Sequence, residues 1–542
     1  MKLLCKIVVS LLVLLPADAF AAGRSLSVVP YPEKIVFAEG FFDVSGARVA
    51  VSGLTSGECR LTVEFSELLK KASGISECSG KVILFKHSED LSEEEYSIDI
   101  SCTGAEVRSS SYSGTLYAVR TLMQMLPVGI YSGTCEPEAD WNIPCVSIQD
   151  KPRFRYRGMH LDCSRHFFGL DEIYRLLDLM SFYKLNRFHW HLTDDHGWRV
   201  EIKKYPLLAE IGAYRDGTMK GWDMDSDDGI RHGGFYTQEQ LKDVVAYASR
   251  LGIEIIPEID MPAHMVSALA AYPHLGCTGG PYSLMKVWDI SPEILCVGKE
   301  SSFEFVCDVL SEICRIFPSE YIHIGGDECN KTRWESCPAC QAKIRELGLK
   351  DTEHWTAEQY LQNYFTSRVQ KFLASKGKKI IGWDEILEGD LAPGATIMSW
   401  RGTEGGIKAA EAGFDAIMTP CEYCYLNFCQ YDRPELEPIS FREYLPLQKC
   451  YFYEPLGGIP YDKSEHVLGV QCNLWTEFIA DTELLEYMLL PRMLAISEVQ
   501  WSRPEAKDYA RFLSDIVSHQ FPLLTSLGYN FSRRAEESAG SF

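Results

Sequence analysis

Tyr321-Ile322-His323-Ile324-Gly325-Gly326-Asp327-Glu328 decides how this chain is read: an apolar β-run empties through two glycines into two adjacent carboxylates. An α/β scaffold presents acids in this way at the carboxyl end of a strand, where open pockets form. Two acids at one point suit proton transfer or charge stabilisation.

Outward from this stretch, from about residue 153, strand-like and helix-like runs alternate. The strand candidates are Arg155–Leu161, Arg187–Leu192, Ile253–Ile259, Tyr321–Ile324, Lys379–Gly382, Thr396–Met398, Ala416–Met418 and Val467–Asn473. Helical periodicity falls between most of them, at Asp171–Tyr183, Gln238–Arg250, Ser302–Phe317, Ala357–Lys376 and Thr403–Ala412. This alternation predicts a (β/α)₈ barrel. A doubly wound sheet is the rival, but no glycine fingerprint for a dinucleotide follows any strand. The segment before the barrel mixes short β-runs (Lys81–Phe85, Tyr96–Ile100) with one helical stretch, Ser113–Leu126, and reads as a small α+β domain. The expected organisation is therefore a signal segment at 1–22, an α+β domain at 23–150, the barrel at 151–505 and a helical segment at 506–542 packing on it. Leu484–Ile496 and Tyr509–Leu524 are the closing helices, and 214–234 reads as a long loop.

Composition narrows the partners. A net charge of −23 argues against nucleic acid and anionic membrane surfaces. At the N-terminus, Lys2 and Lys6 flank an apolar run from Ile7 to Leu15, and small residues follow at Ala17, Ala19, Ala21 and Ala22. That is a secretory signal, too short to span a bilayer. It predicts export to the periplasm or medium, or to the lysosome in a eukaryote, with no transmembrane segment left after its removal. Among the 19 cysteines, Cys337-Pro-Ala-Cys340, with Cys329 eight residues earlier, has a spacing that suits zinc or a disulfide. Zinc normally takes four ligands and the fourth is not obvious, so structural disulfides or buried thiols are the expectation.

The strand ends carry the chemistry. Strand one is read as ending near Arg157 and Asp162-Cys-Ser-Arg165-His166, and after the later strands come Thr193-Asp194-Asp195-His196, Glu258-Ile-Asp260-Met-Pro-Ala-His264, Asp327-Glu328, Trp383-Asp384-Glu385, Ser399-Trp400-Arg401, Tyr425-Leu426-Asn427 and Trp475-Thr-Glu477. In a barrel these ends converge on one pocket lined by carboxylates, an arginine, a histidine and three tryptophans. A single Trp is more often core than ligand. Three at strand ends, each beside a charged group, suit a sugar ring with its apolar faces and equatorial hydroxyls. A zinc hydrolase is disfavoured: no HExxH occurs, and His189 and His191 lie two apart on a strand without an obvious third partner. No metal and no cofactor is expected at this site.

These motifs resemble glycoside hydrolase family 20, the β-N-acetylhexosaminidases. The resemblance runs from about residue 24 to 505, through Arg157-Gly158, Asp162-Cys-Ser-Arg165-His166-Phe167, His189-Trp-His-Leu-Thr-Asp194-Asp195, Glu258-Ile-Asp-Met-Pro-Ala-His264, His323-Ile-Gly-Gly-Asp327-Glu328, Gly382-Trp383-Asp384-Glu385 and Gly469-Val-Gln-Cys-Asn-Leu-Trp475-Thr-Glu477. It implies an exo-acting retaining enzyme that removes terminal β-linked GlcNAc or GalNAc from an oligosaccharide or glycoconjugate. The substrate's own 2-acetamido oxygen acts as nucleophile through an oxazolinium intermediate. By the same resemblance Glu328 is the acid/base and Asp327 orients the acetamide. Tyr425 bonds the acetamide oxygen, and Trp383, Trp400 and Trp475 form the walls. Arg157 and Glu477 bind sugar hydroxyls, while Asp194 or Asp195, with His264, orients Glu328. Relatives often show Tyr-Leu-Asp where this chain has Tyr425-Leu426-Asn427. Asn427 loses the charge, which bears on recognition of the outer hydroxyls. The rival readings are a glycosidase on the same barrel with a conventional covalent nucleophile and a non-catalytic carbohydrate-binding protein. The sequence fixes neither the oligomeric state nor the GlcNAc-versus-GalNAc preference.

Overall fold

The computed structural model describes residues 26–75, 80–389 and 393–535; the signal segment expected at 1–22 lies outside them. Eight parallel strands close into a barrel in sequence order: β1 (Tyr156–Asp162), β2 (Arg187–His191), β3 (Glu254–Glu258), β4 (Tyr321–His323), β5 (Lys379–Trp383), β6 (Thr396–Ser399), β7 (Asp415–Met418) and β8 (Val467–Leu474), with β8 pairing back onto β1. The sequence runs named above are these strands, shifted by at most one residue at their ends.

Alternation along each strand sorts the core into two shells. Phe188, Trp190, Met159, Leu161, Cys472 and Leu474 face outward into the packing beneath the helices. Ile256, Ile381, Trp383, Met398, Ile417 and Leu468 fill the interior with Tyr156, Tyr425 and Trp475. Helices Leu170–Phe182, Gln238–Arg250, Glu300–Ile316, Ala357–Ser375 and Glu404–Glu411 cover the outside. After β5 the chain makes a 3₁₀ turn, Asp384–Leu387, and no α-helix lies among the described residues before β6.

Two expectations are adjusted. The helix expected over Leu484–Ile496 is two, Thr482–Leu489 and Arg492–Trp501, parted at Leu490-Pro491, because proline has no N–H for a preceding turn. The segment expected as a loop at 214–234 is paired: Tyr214–Arg215 with His232–Gly233, and Met219–Lys220 with Asp223–Asp227.

The first domain is a six-stranded sheet in the spatial order Lys34–Asp43, Asn142–Asp150, Tyr96–Ser101, Gly104–Ser109, Val82–His87 and Arg48–Ser52. Helices Ser56–Ser73 and Tyr112–Gln124 pack against it and share its core. It docks at the amino ends of the barrel strands through buried polar contacts. Lys184 Nζ lies 3.0 Å from Asp150, with both side chains fully buried, and Trp501 Nε1 donates to the same carboxylate at 2.9 Å.

Candidate active site

At the carboxyl ends of the strands a cavity of about 290 Å³ opens, lined by Arg165, Asp327, Glu328, Trp383, Trp400, Tyr425, Asn427, Trp475 and Glu477, with Phe428, Phe441 and Glu443. Backbone geometry explains the double glycine that precedes the acids. Gly325 and Gly326 both take positive φ, and a Cβ at Gly325 would sit 1.6 Å from the Asp260 carboxylate. Only glycine lets the β4 turn pass this close to the β3 turn. Glu328 and His264 are themselves left-handed, with φ of +46° and +52°. Such conformations are uncommon for residues other than glycine and gather at functional sites.

The two acids meet one imidazole. His264 Nε2 lies 3.6 Å from Glu328 and 3.7 Å from Asp327. On its other side, His264 Nδ1 lies 3.2 Å from Asp194 and 3.4 Å from Asp195. Asp194 is the aspartate of the relay: it also contacts His191 Nε2 at 2.9 Å and Arg165 at 3.0 Å. Asp195 instead accepts the Val266 amide at 3.0 Å and so fixes the His264 turn. Beneath them Glu258 joins three strands. Its carboxylate meets His191 Nδ1, His189 Nε2 at 3.0 Å, His323 Nδ1 at 2.8 Å and Trp383 Nε1 at 2.9 Å. The partner that His189 and His191 lacked in the sequence is thus Glu258, on the neighbouring strand.

The electrostatics follow from burial and these pairings. Burial, the facing Glu328 and the nearby Glu258 push the Asp327 carboxyl up to about 6, although His264 draws it down. Against a burial penalty, Asp194 and Asp260 hold His264 well above the usual imidazole range, which favours its protonated form. Burial also opposes ionisation of Asp194, but Arg165 and His264 keep it well below the usual carboxylate range. Burial raises Glu477 to about 7 despite Arg165, and burial together with Asp327 raises Glu385 to about 8.

The aromatic walls are held by hydrogen bonds. Trp400 Nε1 donates to Glu385 at 2.9 Å, and its ring lies nearly parallel to Tyr425 with centroids 6.2 Å apart. Trp475 lies between Tyr425 and Trp383, with the Arg165 guanidinium 5.1 Å over its ring. Arg165 Nε, Asp327 Oδ1, Asn427 Oδ1, Trp475 Nε1 and Glu477 Oε2 are buried and have no hydrogen-bond partner within the protein. Buried polar atoms are normally paired, so a wall carrying five such atoms is prepared for a polar guest.

Arg157 is corrected. It sits at the amino end of β1, not in the cavity. Its donors go to the Lys184 carbonyl at 2.8 Å, the Phe154 carbonyl at 2.9 Å, Tyr117 Oη at 2.8 Å and Glu94 at 2.7 and 3.1 Å. Arg165, just past the carboxyl end of the same strand, is the arginine of the cavity. The polarity of β1 was the available signal, since barrel sites lie at strand carboxyl ends. Sequence reasoning also passed over Glu258 as a hub, and Phe441 and Glu443, which reach the cavity from beyond β7.

Comparison with known proteins agrees with this geometry. Residues 154–504 match the glycosyl hydrolase family 20 catalytic domain and residues 25–151 match domain 2 of the same family. A beta-hexosaminidase of Porphyromonas gingivalis is 40% identical over 90% of this chain, which spans 62% of that relative's length. The solved GH20 exo beta-N-acetylglucosaminidase of Vibrio harveyi, in complex with N-acetylglucosamine, is 34% identical with a TM-score of 0.80, over 94% of this chain and 78% of that one. The Streptomyces plicatus N-acetyl-beta-hexosaminidase is 29% identical with the same TM-score, over 94% and 96% respectively.

Proposed function

The chain belongs to glycosyl hydrolase family 20, and on that premise we propose that it is an exo-acting β-N-acetylhexosaminidase that releases terminal β-linked GlcNAc or GalNAc with retention of configuration. One observation carries the mechanism: Asp327 and Glu328 both lie within 3.7 Å of a single imidazole nitrogen. They therefore share one wall. A conventional retaining pair faces across the anomeric carbon at roughly 5 Å, which two carboxyls on one wall cannot do. As a member of this family the chain is expected to use the substrate's own 2-acetamido oxygen as nucleophile, and the shared wall of Asp327 and Glu328 supports that reading.

Glu328 protonates the glycosidic oxygen as the acetamide oxygen attacks C1. Asp327 takes the acetamide N–H through its unpaired Oδ1 and stabilises the positive charge that spreads over the oxazolinium ring. The Tyr425 hydroxyl holds the acetamide oxygen in line. Once Glu328 has given its proton, the His264 cation at 3.6 Å stabilises the carboxylate. That carboxylate next removes a proton from water, which opens the intermediate. Trp383, Trp400 and Trp475 wall the ring, while Arg165, Asn427 and Glu477 face its outer hydroxyls.

The test compares chromogenic β-GlcNAc and β-GalNAc glycosides with the plain β-glucoside, on the native chain and on Glu328→Gln. Fast cleavage of the acetamido sugars alone, lost in the variant, is expected. Equal rates on the glucoside would sink the acetamide mechanism, and no turnover of any acetamido sugar would overturn the activity.

We also propose export, on the basis of the charged and apolar run at Lys2–Leu15; the N-terminal sequence of the mature secreted protein checks it. No described helix is long and apolar enough to cross a membrane.

A further inference from the structure

Outside the cavity, four sulfur atoms converge from three separate parts of the sequence. Cys277 follows the 3₁₀ turn Pro273–Leu275, Cys296 precedes helix Glu300–Ile316, and Cys337 and Cys340 open helix Pro338–Leu347. Cys296 Sγ lies 3.6 Å from both Cys337 Sγ and Cys340 Sγ, and Cys277 Sγ lies 3.9 Å from Cys340 Sγ. All four sulfurs fall within 4.8 Å of one another. A tetrahedral ion with zinc–sulfur bonds of about 2.3 Å sets its sulfurs about 3.8 Å apart, edge to edge. These three spacings match its edges, and the other three are no longer than 4.8 Å. They do not divide into two pairs: Cys296 is equally close to two sulfurs, and Cys340 is close to both Cys296 and Cys277.

We propose that Cys277, Cys296, Cys337 and Cys340 form a closed tetrathiolate site for a zinc ion. The sequence spacing points to Cys337, Cys340 and Cys329; in the structure Cys329 stands outside the group, Cys277 and Cys296 stand in it, and all four are free thiols that would serve as the ligands. Three of the four side chains are buried and Cys277 is partly exposed, which leaves an entry path for the ion. The backbone is shaped to bring the two halves together. A Cβ at Gly298 would stand 2.2 Å from the Ala339 carbonyl carbon and 2.4 Å from the Cys340 nitrogen, so the Cys296 turn lies directly on the Cys-Pro-Ala-Cys turn. The ammonium of Lys299, anchored on the carbonyls of His274 and Gly276, puts a positive charge in the same turn, as suits a centre of net charge −2.

Four protein ligands leave no open position, so the ion is structural and not catalytic. Its place in the fold says what it clasps. Cys277 and Cys296 belong to the loop that begins at β3 and carries His264. Cys337 and Cys340 follow the β4 turn that carries Asp327 and Glu328. Arg333–Glu293 and Trp334 Nε1 on the Leu295 carbonyl, both at 2.9 Å, reinforce the same clasp, and the Leu295 amide continues it to Pro262 at 3.0 Å. The site thus ties together the two loops whose left-handed residues, His264 and Glu328, must face each other.

The full chain, purified without added metal, is assayed by elemental mass spectrometry. About one zinc per chain is expected, retained through desalting, absent from Cys337→Ser and unchanged in a Cys307→Ser control. Exchange with Co(II) should give the d–d and thiolate-to-cobalt bands of a tetrahedral four-sulfur site. The cobalt spectrum and zinc count are read on the unaltered chain, so they hold even if Cys337→Ser does not fold. Background zinc, with peptide mapping that finds disulfides among the four residues, overturns the proposal. So do four thiols that alkylate freely in the native protein and take up no cobalt. Both readouts are independent of glycoside turnover.

Discussion

Arg157 and Arg165 stand at opposite ends of one barrel strand and are both withdrawn from solvent, yet they do different work. Arg157 spends its guanidinium on two carbonyls, a phenol and Glu94, and so joins the first domain to the barrel's amino end. Arg165 bonds Asp194 and reaches Asp162, but its Nε is left without a protein partner at the cavity wall. The difference teaches that saturation, and not burial, separates a structural arginine from a ligand-binding one. The contrast is local to these two side chains: every nitrogen of the Arg157 guanidinium has a protein partner, and Arg165 keeps one free at the cavity.

The comparison can be broken most forcefully at the acids. Glu328→Gln should cut kcat by roughly 10²–10⁴-fold with little change in Tm, measured on an activated aryl glycoside and by calorimetry. A comparable loss of stability would place Glu328 among the structural groups. The arginines come next. Arg157→Ala should lower unfolding free energy by about 3–5 kcal/mol, because Glu94 is left charged and mostly buried, while the folded fraction keeps its kcat. Arg165→Ala should raise KM and lower kcat/KM by about 10²-fold per folded molecule, and it should also lower Tm, because the buried Asp194 and Asp162 lose their guanidinium; the loss of kcat/KM is what sets it apart from Arg157→Ala. Denaturant titration beside steady-state kinetics reads both.

A pH series sharpens the contrast. Asp327 is raised to about 6, so its carboxylate fraction falls as pH drops through that value, and log kcat/KM should decline below about pH 6. Asp327→Asn should erase that limb. At the other face, burial works against the Glu94 carboxylate but Arg157 holds it below its usual range. Stability from this pair is therefore present above the unfolded carboxylate pKa and lost as pH falls through the folded value. Acid unfolding of Glu94→Gln should show a shallower pH slope. The smallest effect is expected at Asn427. Asn427→Asp should change KM by no more than about tenfold, with opposite signs for GlcNAc and GalNAc glycosides if this side chain meets the 4-hydroxyl.

What the sequence yielded and what it withheld follow one physical line. Strand periodicity and strand-end residues are local, so the eight strands and the strand-end tryptophans Trp383, Trp400 and Trp475 could be read directly, whereas the part given to Tyr425 came from the family resemblance. Closure of the barrel and lateral register are not local. Glu258 meets His191 because β2 and β3 pair Glu258 with His191 in register, and no spacing along the chain announces that. Cys277 and Cys296 join Cys337 and Cys340 for the same reason, across two loops. The Arg157 assignment failed differently: the residue type was right, but the strand's direction puts it at the wrong end.

The left-handed backbone of Glu328 has a historical consequence. A non-glycine residue in that region carries a standing conformational cost of about 1 kcal/mol or more, tolerated only while its carboxyl is useful. Lineages of this fold that abandon hydrolysis should shed that cost early, drifting to Gly or Asn here before the tryptophan walls erode. Position 328 is then a clock that starts when turnover stops, and Glu328→Gly, inactive yet no less stable than its parent, would be its first tick.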